Sequence, residues 1–191
     1  IDKITKALII MTFIICIIYI PVSSFFKDDT GIEELNNITS IKQTDIIWPI
    51  PGYTRISSGF GKRVAPTSGA SSYHKGLDIP APEGTALVAI QNGEITFTGF
   101  LGGGGYTITL SFENFKISYC HVSPNYIVSK NQIVNRGDII GYVGPKYVYN
   151  VPGNQYYDSS GKPTNGATTG CHLHIGVRKN EEYINPLLLF Q

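Results

Sequence analysis

Several short stretches of this 191-residue chain alternate apolar and polar side chains with a period of two, and turn-forming residues bracket nearly all of them. Residues 106–112 and 115–121 alternate on either side of Glu113-Asn114, which predicts two strands joined by a tight turn. Residues 86–91 and 94–98 flank Asn92-Gly93 and predict two more strands. Residues 132–134 and 139–143 flank Asn135-Arg136-Gly137-Asp138 and predict another hairpin. A short strand is expected at 55–60, a loop at 64–73, and a last strand at 172–178, with Asn185-Pro186 closing the sheet region. Helical periodicity is nearly absent. Short strands with regular turns predict a mainly β fold, an antiparallel sheet or sandwich.

A different pattern opens the chain. Lys3 and Lys6 precede an apolar stretch, residues 7–26, of about the 20 residues that a membrane-spanning helix needs. Asp28, Asp29, Glu33 and Glu34 follow it. The positive-inside rule then puts residues 1–6 in the cytoplasm and everything after the helix outside. The competing reading is a cleaved signal peptide, which would make the product secreted. Residues 27–47 are polar and aperiodic and are read as an extracytoplasmic linker; the globular domain is expected at 48–191, starting at Trp48. Fully extended, a linker of ~20 residues reaches at most about 65 Å, so the domain would work close to the membrane.

Composition narrows the function. The formal net charge is +1, and no basic block is interleaved with aromatics, so nucleic acid is not an expected partner. Twenty-one glycines and eleven prolines suit a turn-rich β protein, and three cysteines are too few for a disulfide scaffold. Residues 146–168 break the strand rhythm with a long loop carrying Tyr147, Tyr149, Tyr156 and Tyr157. Tyrosines there suit either a substrate wall or a loop packed on itself.

The chain has four histidines. His172 and His174 are separated by one residue, so on a strand both imidazoles point to one face. His74 and Asp78 form an H-x-x-x-D pair; the surrounding glycine and prolines suggest a loop from which both can reach a common ion. His121 is expected to end the strand at 115–121. Catalytic zinc takes three protein ligands, two His and a carboxylate being one attested set, and keeps a position for water. A hydrolase also needs groups that move protons and stabilise an oxyanion. Four histidines and Asp78 supply both needs. H-E-x-x-H and G-x-S-x-G are absent, and the glycine run 102–105 has no following Lys and helix, so it is read as a bulge or a close backbone approach. If His172 and His174 face a groove, parity turns Cys171 away, and the same argument turns Cys120 away beside His121. Both are read as small buried apolar residues, neither disulfide-bonded nor metal-binding.

Five segments, in order, resemble the lysostaphin/LytM-type zinc metalloendopeptidase domain: Ser58-Gly59-Phe60-Gly61-Lys62-Arg63, residues 74–85 beginning His74-Lys75-Gly76-Leu77-Asp78, Tyr119-Cys120-His121, Gly137-Asp138-Ile139-Ile140-Gly141, and Thr169-Gly170-Cys171-His172-Leu173-His174. The resemblance covers residues 47–190. It implies an antiparallel β fold with an active-site groove, one Zn2+ per domain held by His74, Asp78 and His174, and catalytic roles for His121 and His172. His172 would be the base or proton shuttle, and His121 would orient the water or stabilise the oxyanion. The implied activity is hydrolysis of peptide cross-links or stem peptides of bacterial peptidoglycan, outside the cytoplasm and anchored to the cell membrane by the N-terminal helix. An alternative is an envelope adaptor with a structural zinc, working in a complex with other envelope proteins. Two departures stand out: Cys120 replaces a small residue, usually Ala, and the 146–168 loop exceeds that of compact members.

Overall fold

The structure, a computed structural model, describes residues 46–190. The expected anchor at 7–26 and nearly all of the linker lie outside them. Among the described residues no helix is long and apolar enough to cross a membrane.

Eleven strands follow in order: β1 Gly61–Lys62, β2 Tyr73–His74, β3 Leu77–Pro80, β4 Ala86–Val88, β5 Gly93–Phe100, β6 Tyr106–Phe112, β7 Phe115–Cys120, β8 Ile133–Val134, β9 Ile139–Tyr142, β10 His172–Lys179 and β11 Glu182–Ile184. Every pairing is antiparallel. One seven-stranded sheet runs β11-β10-β7-β6-β5-β8, and β3 also pairs with β10. β1–β2 and β4–β9 form separate two-stranded ribbons. The mainly β antiparallel expectation holds.

Several element boundaries differ from expectation. The β6–β7 hairpin forms as the alternation predicts, turning at Glu113-Asn114 with Glu113 at φ 48°. Residues 132–134 and 139–143 do not pair with each other: β8 pairs with β5, and β9 pairs with β4. The turn between them separates two sheets. Residues 55–60 contain no strand, only an isolated bridge from Ser58 to Asp78. β10 is not the last strand, because β11 folds back on its C-terminal half.

Cross-strand register explains how the sheet acquires two unlike faces, since residues directly opposite one another point the same way. Ile175 lies opposite both Leu77 and Tyr119, and Tyr119 opposite Ile108. These side chains belong to one buried apolar cluster with Ile79, Leu110, Ile117, Leu173 and Val177. The β4–β9 ribbon packs on that face. The Tyr119 hydroxyl donates to Val88 O at 3.0 Å and accepts from Ile90 N at 3.1 Å, tying ribbon to sheet. On the opposite face His174 lies between Asp78 and Cys120, and Cys120 opposite Thr107. The polar face carries the site.

Candidate functional site

His74 ends β2, and Asp78 is the second residue of β3, so the H-x-x-x-D pair sits on two strands rather than in the expected loop. Pairing with β10 overrides the loop-forming composition: Leu77 faces Ile175, Asp78 faces His174, and Pro80 is tolerated at the strand's end. The Lys75-Gly76 link passes tightly beneath β10. A Cβ on Gly76 would stand 2.7 Å from the His174 ring and would collide with the Ile175 carbonyl. Only glycine lets the two ligand-bearing segments approach so closely.

Three donor atoms converge. His174 Nδ1 is 2.8 Å and His74 Nε2 3.1 Å from Asp78 Oδ1, and the two ring nitrogens are 2.9 Å apart. Around an ion with bonds of about 2.0–2.1 Å, tetrahedral donors stand about 3.3–3.4 Å from one another. The observed triangle is slightly tighter and has the right composition, two imidazoles and one carboxylate. Among the described residues these three form a group able to hold a metal ion.

The hydrogen bonds behind the triangle fix protonation. His74 Nδ1 lies 2.8 Å from Gly59 O, and a carbonyl oxygen only accepts, so Nδ1 carries the hydrogen. With that hydrogen on Nδ1, Nε2 is the ring nitrogen that faces the site. Burial opposes ionisation of Asp78, but the neighbouring His172, His174 and His74 rings outweigh it and hold the carboxyl well below the usual carboxylate range. Burial pushes the His174 ring down, with Asp78 opposing. A carboxylate and neutral imidazoles are the forms a metal ion requires.

His172 and His121 flank this triangle. His172 Nε2 is 3.5 Å from Asp78 Oδ1, and the His121 and His172 rings are 4.7 Å apart. Each Nδ1 donates to a backbone carbonyl: His172 to Gly170 at 2.9 Å, His121 to Asn165 at 2.7 Å. Burial pushes the His121 ring well below its ordinary value, and His172 and His174 add to the effect. The structure therefore brings all five sequence-predicted residues together.

Strand parity gives a wrong answer for Cys120. His121 lies just past β7 at φ 59°, a left-handed conformation that costs a non-glycine residue about 1–2 kcal/mol and interrupts the alternation. Cys120, opposite His174, consequently lines the same groove as His121 instead of turning away. It is buried and free, and burial pushes its thiol up to about 11. Cys171 is free and half-buried; it packs against the core but also lines the groove, so parity does not turn it fully away either.

Arg63 and Asn165 are site residues to which sequence reasoning gave no role. Arg63 Nη1 bonds Asp78 Oδ2 at 2.9 Å and Ser58 Oγ at 2.6 Å, clamping the carboxylate oxygen that faces away from the triangle. Its only sequence signal is its place in the Ser58–Arg63 segment. The groove over the site has a volume of about 920 Å³. Its tyrosines are Tyr73 and Tyr183, not those of the 146–168 loop. That loop packs on itself: Asp158 accepts from Tyr147 Oη at 2.8 Å and from Ser160 Oγ at 2.7 Å, and Lys146 lies over the Tyr147 ring.

The model of Peptidase family M23 matches residues 72–186. The chain belongs to this family. Over 136 residues it is 35% identical to the DD-carboxypeptidase/endopeptidase Mpg of Neisseria meningitidis serogroup B, covering 71% of this chain and 27% of that protein. The peptidoglycan DD-endopeptidase ShyC of Vibrio cholerae is 26% identical, covering 86% of this chain and 34% of its own length. The chain thus spans about a quarter to a third of the length of these M23 relatives. Among solved structures, the catalytic domain of lysostaphin from Staphylococcus simulans superposes with a TM-score of 0.56 at 26% identity, covering 73% of this chain and 93% of that one. A zinc containing peptidase from Vibrio cholerae superposes with a TM-score of 0.56 at 25% identity, covering 72% and 37%.

Proposed function

We propose that this M23 chain is a zinc-dependent endopeptidase that hydrolyses peptide cross-links or stem peptides of bacterial peptidoglycan. The observation that carries the reading is the convergence of His74 Nε2, Asp78 Oδ1 and His174 Nδ1, with the His121 and His172 imidazoles beside them. The likeness to ShyC, a peptidoglycan DD-endopeptidase, and to Mpg, a DD-carboxypeptidase/endopeptidase, supports a peptidoglycan substrate. A zinc ion on those three atoms would supply Lewis acidity, acidifying water and polarising the scissile carbonyl.

The remaining chemistry falls to this chain's own side chains. His172 Nε2 is the proton acceptor: its Nδ1–H is committed to Gly170 O, and its free lone pair points toward the carboxylate. Once protonated it passes the proton to the leaving amine. His121 has its Nδ1–H on Asn165 O, and burial keeps the ring neutral, so its Nε2 can only accept. Orienting a water molecule suits that state; stabilising an oxyanion would need an Nε2–H. Arg63 holds Asp78 Oδ2 and stops the carboxylate rotating.

The surrounding layout follows the sequence reading. We assign residues 1–6 to the cytoplasm, 7–26 to a single-pass anchor, 27–47 to a linker and 48–191 to an extracytoplasmic peptidase domain. Metal analysis of the purified chain tests the core of the reading. About one zinc per chain is expected, reduced to near zero by His174→Ala, and no zinc in the wild type contradicts it.

A further inference from the structure

Asn165 is fully buried and lines none of the groove, yet it makes four hydrogen bonds at the joint between the long loop and the site. Its amide N donates to Lys146 O at 2.9 Å, closing the base of the 146–168 loop. Its side chain bridges the start of β6 and the residue after His121: Oδ1 accepts from Tyr106 N at 2.8 Å, and Nδ2 donates to Val122 O at 3.0 Å. Its carbonyl accepts the Nδ1–H of His121 at 2.7 Å. Each polar group of this residue has a partner; Val122 adjoins His121, and Tyr106 accepts the Val122 N–H across from it.

The glycine run is built around it. Gly105 has φ 62°, and a Cβ there would run into both the carbonyl and the side-chain oxygen of Asn165. Gly104 O accepts the backbone N–H of His121 at 2.8 Å, and Gly103 O accepts that of Ala167 at 2.8 Å. Backbone and ring of His121 are thus held from the same two segments, and Asn165 locks them together.

We infer that Asn165 is a positioning residue for His121, fixing the ring as the Nδ1–H tautomer with Nε2 directed at the reacting water. This rests on reading the site as a peptidase, but the tautomer itself does not. A neutral imidazole without this carbonyl would sample both tautomers, and only one offers Nε2 as an acceptor. The long loop then contributes to catalysis through its C-terminal anchor, while its tyrosines stay out of the groove.

The test combines two readouts on the zinc-loaded full chain. Long-range 1H–15N spectra of 15N-histidine-labelled protein report the tautomer of each ring directly. Wild type is expected to show His121 wholly as Nδ1–H, and Asn165→Ala to show a mixture. On a soluble cross-linked muropeptide, Asn165→Ala is expected to lower kcat about 10- to 100-fold, the scale of a misplaced catalytic group, with KM within about twofold. Asn165→Asp keeps the acceptor for Tyr106 N–H and is expected to fall between the two; it carries the test if the alanine variant does not fold. A His121 that keeps the pure Nδ1–H tautomer in both folded variants, or that shows Nε2–H in wild type, overturns the inference. A wild type with the expected tautomer but no hydrolysis overturns the peptidase reading and leaves the Asn165–His121 contact standing.

Discussion

Arg63 shows how much of a metal site can lie outside its donor atoms. Its guanidinium neutralises Asp78 Oδ2, leaving Oδ1 alone in the triangle. Arg63→Ala should leave the fold intact and weaken zinc binding about 10- to 100-fold, the usual scale for a ligand's outer partner, as read by competition with a chromophoric chelator. Acid acts through the histidines. His121 and His174 both have folded-state values below 6.5, so they contribute stability that is present above that value and lost as pH falls through their depressed values. Below pH 6.5 the unfolded chain takes up protons that the folded chain refuses. The metal-free chain should therefore lose urea resistance from pH 7 to pH 5, where Asp78 remains ionised, and His121→Gln should flatten that slope. Cys120, with its thiol raised to about 11, should resist iodoacetamide at pH 8 until the chain unfolds, read by peptide mass. Histidine spacing and parity were legible in the sequence. The inversion at Cys120 was not, because it depends on the positive φ of His121, for which histidine gives no signal.

At the scale of elements, local pairings were legible and distant ones were not. The β6–β7 hairpin announces itself by alternation and a turn dipeptide, and its register brings Cys120 opposite Thr107. β4 and β9 show the reverse. Each is next to a plausible local partner, but burying Leu87 and Ile140 against the sheet pairs them with each other across a long stretch of chain. The H-x-x-x-D segment read as a loop because glycine and prolines dominate locally; four registered pairs with β10 decide otherwise. Leu173, fully buried between the two site histidines, pins β10 to the core. Leu173→Ala should cost about 2–5 kcal/mol in urea unfolding. The 146–168 loop depends on Asp158, whose carboxyl is held below its ordinary value by hydrogen bonds from Ser160, Tyr147 and the Lys162 amide. Asp158→Ala should speed amide exchange at Ser160 and Lys162 while leaving the Tyr106 amide, which Asn165 holds, protected.

The whole domain is an antiparallel sheet with an apolar face under the β4–β9 ribbon and a polar face where three strands and one strand end deliver five ionisable side chains to one groove. Trp48 near its start packs edge-on against Phe190 at its end, with ring centroids 4.9 Å apart. The five motif segments carry all five of those side chains, which makes the site readable from sequence. The 146–168 loop closes on Asn165, which holds His121 from behind. The proposed activity is metal-dependent hydrolysis of peptidoglycan peptides by that groove. Mass spectrometry of fragments released from defined cross-linked muropeptides tests it most directly. Wild type should release cleaved peptides, lose the activity on chelation and regain it with added zinc, while His172→Ala should bind zinc normally and cleave at least about 100-fold more slowly, as expected for loss of a general base. Intact muropeptides after incubation with the zinc-loaded wild type, or equal cleavage by His172→Ala, would contradict that activity and its assignment to this site.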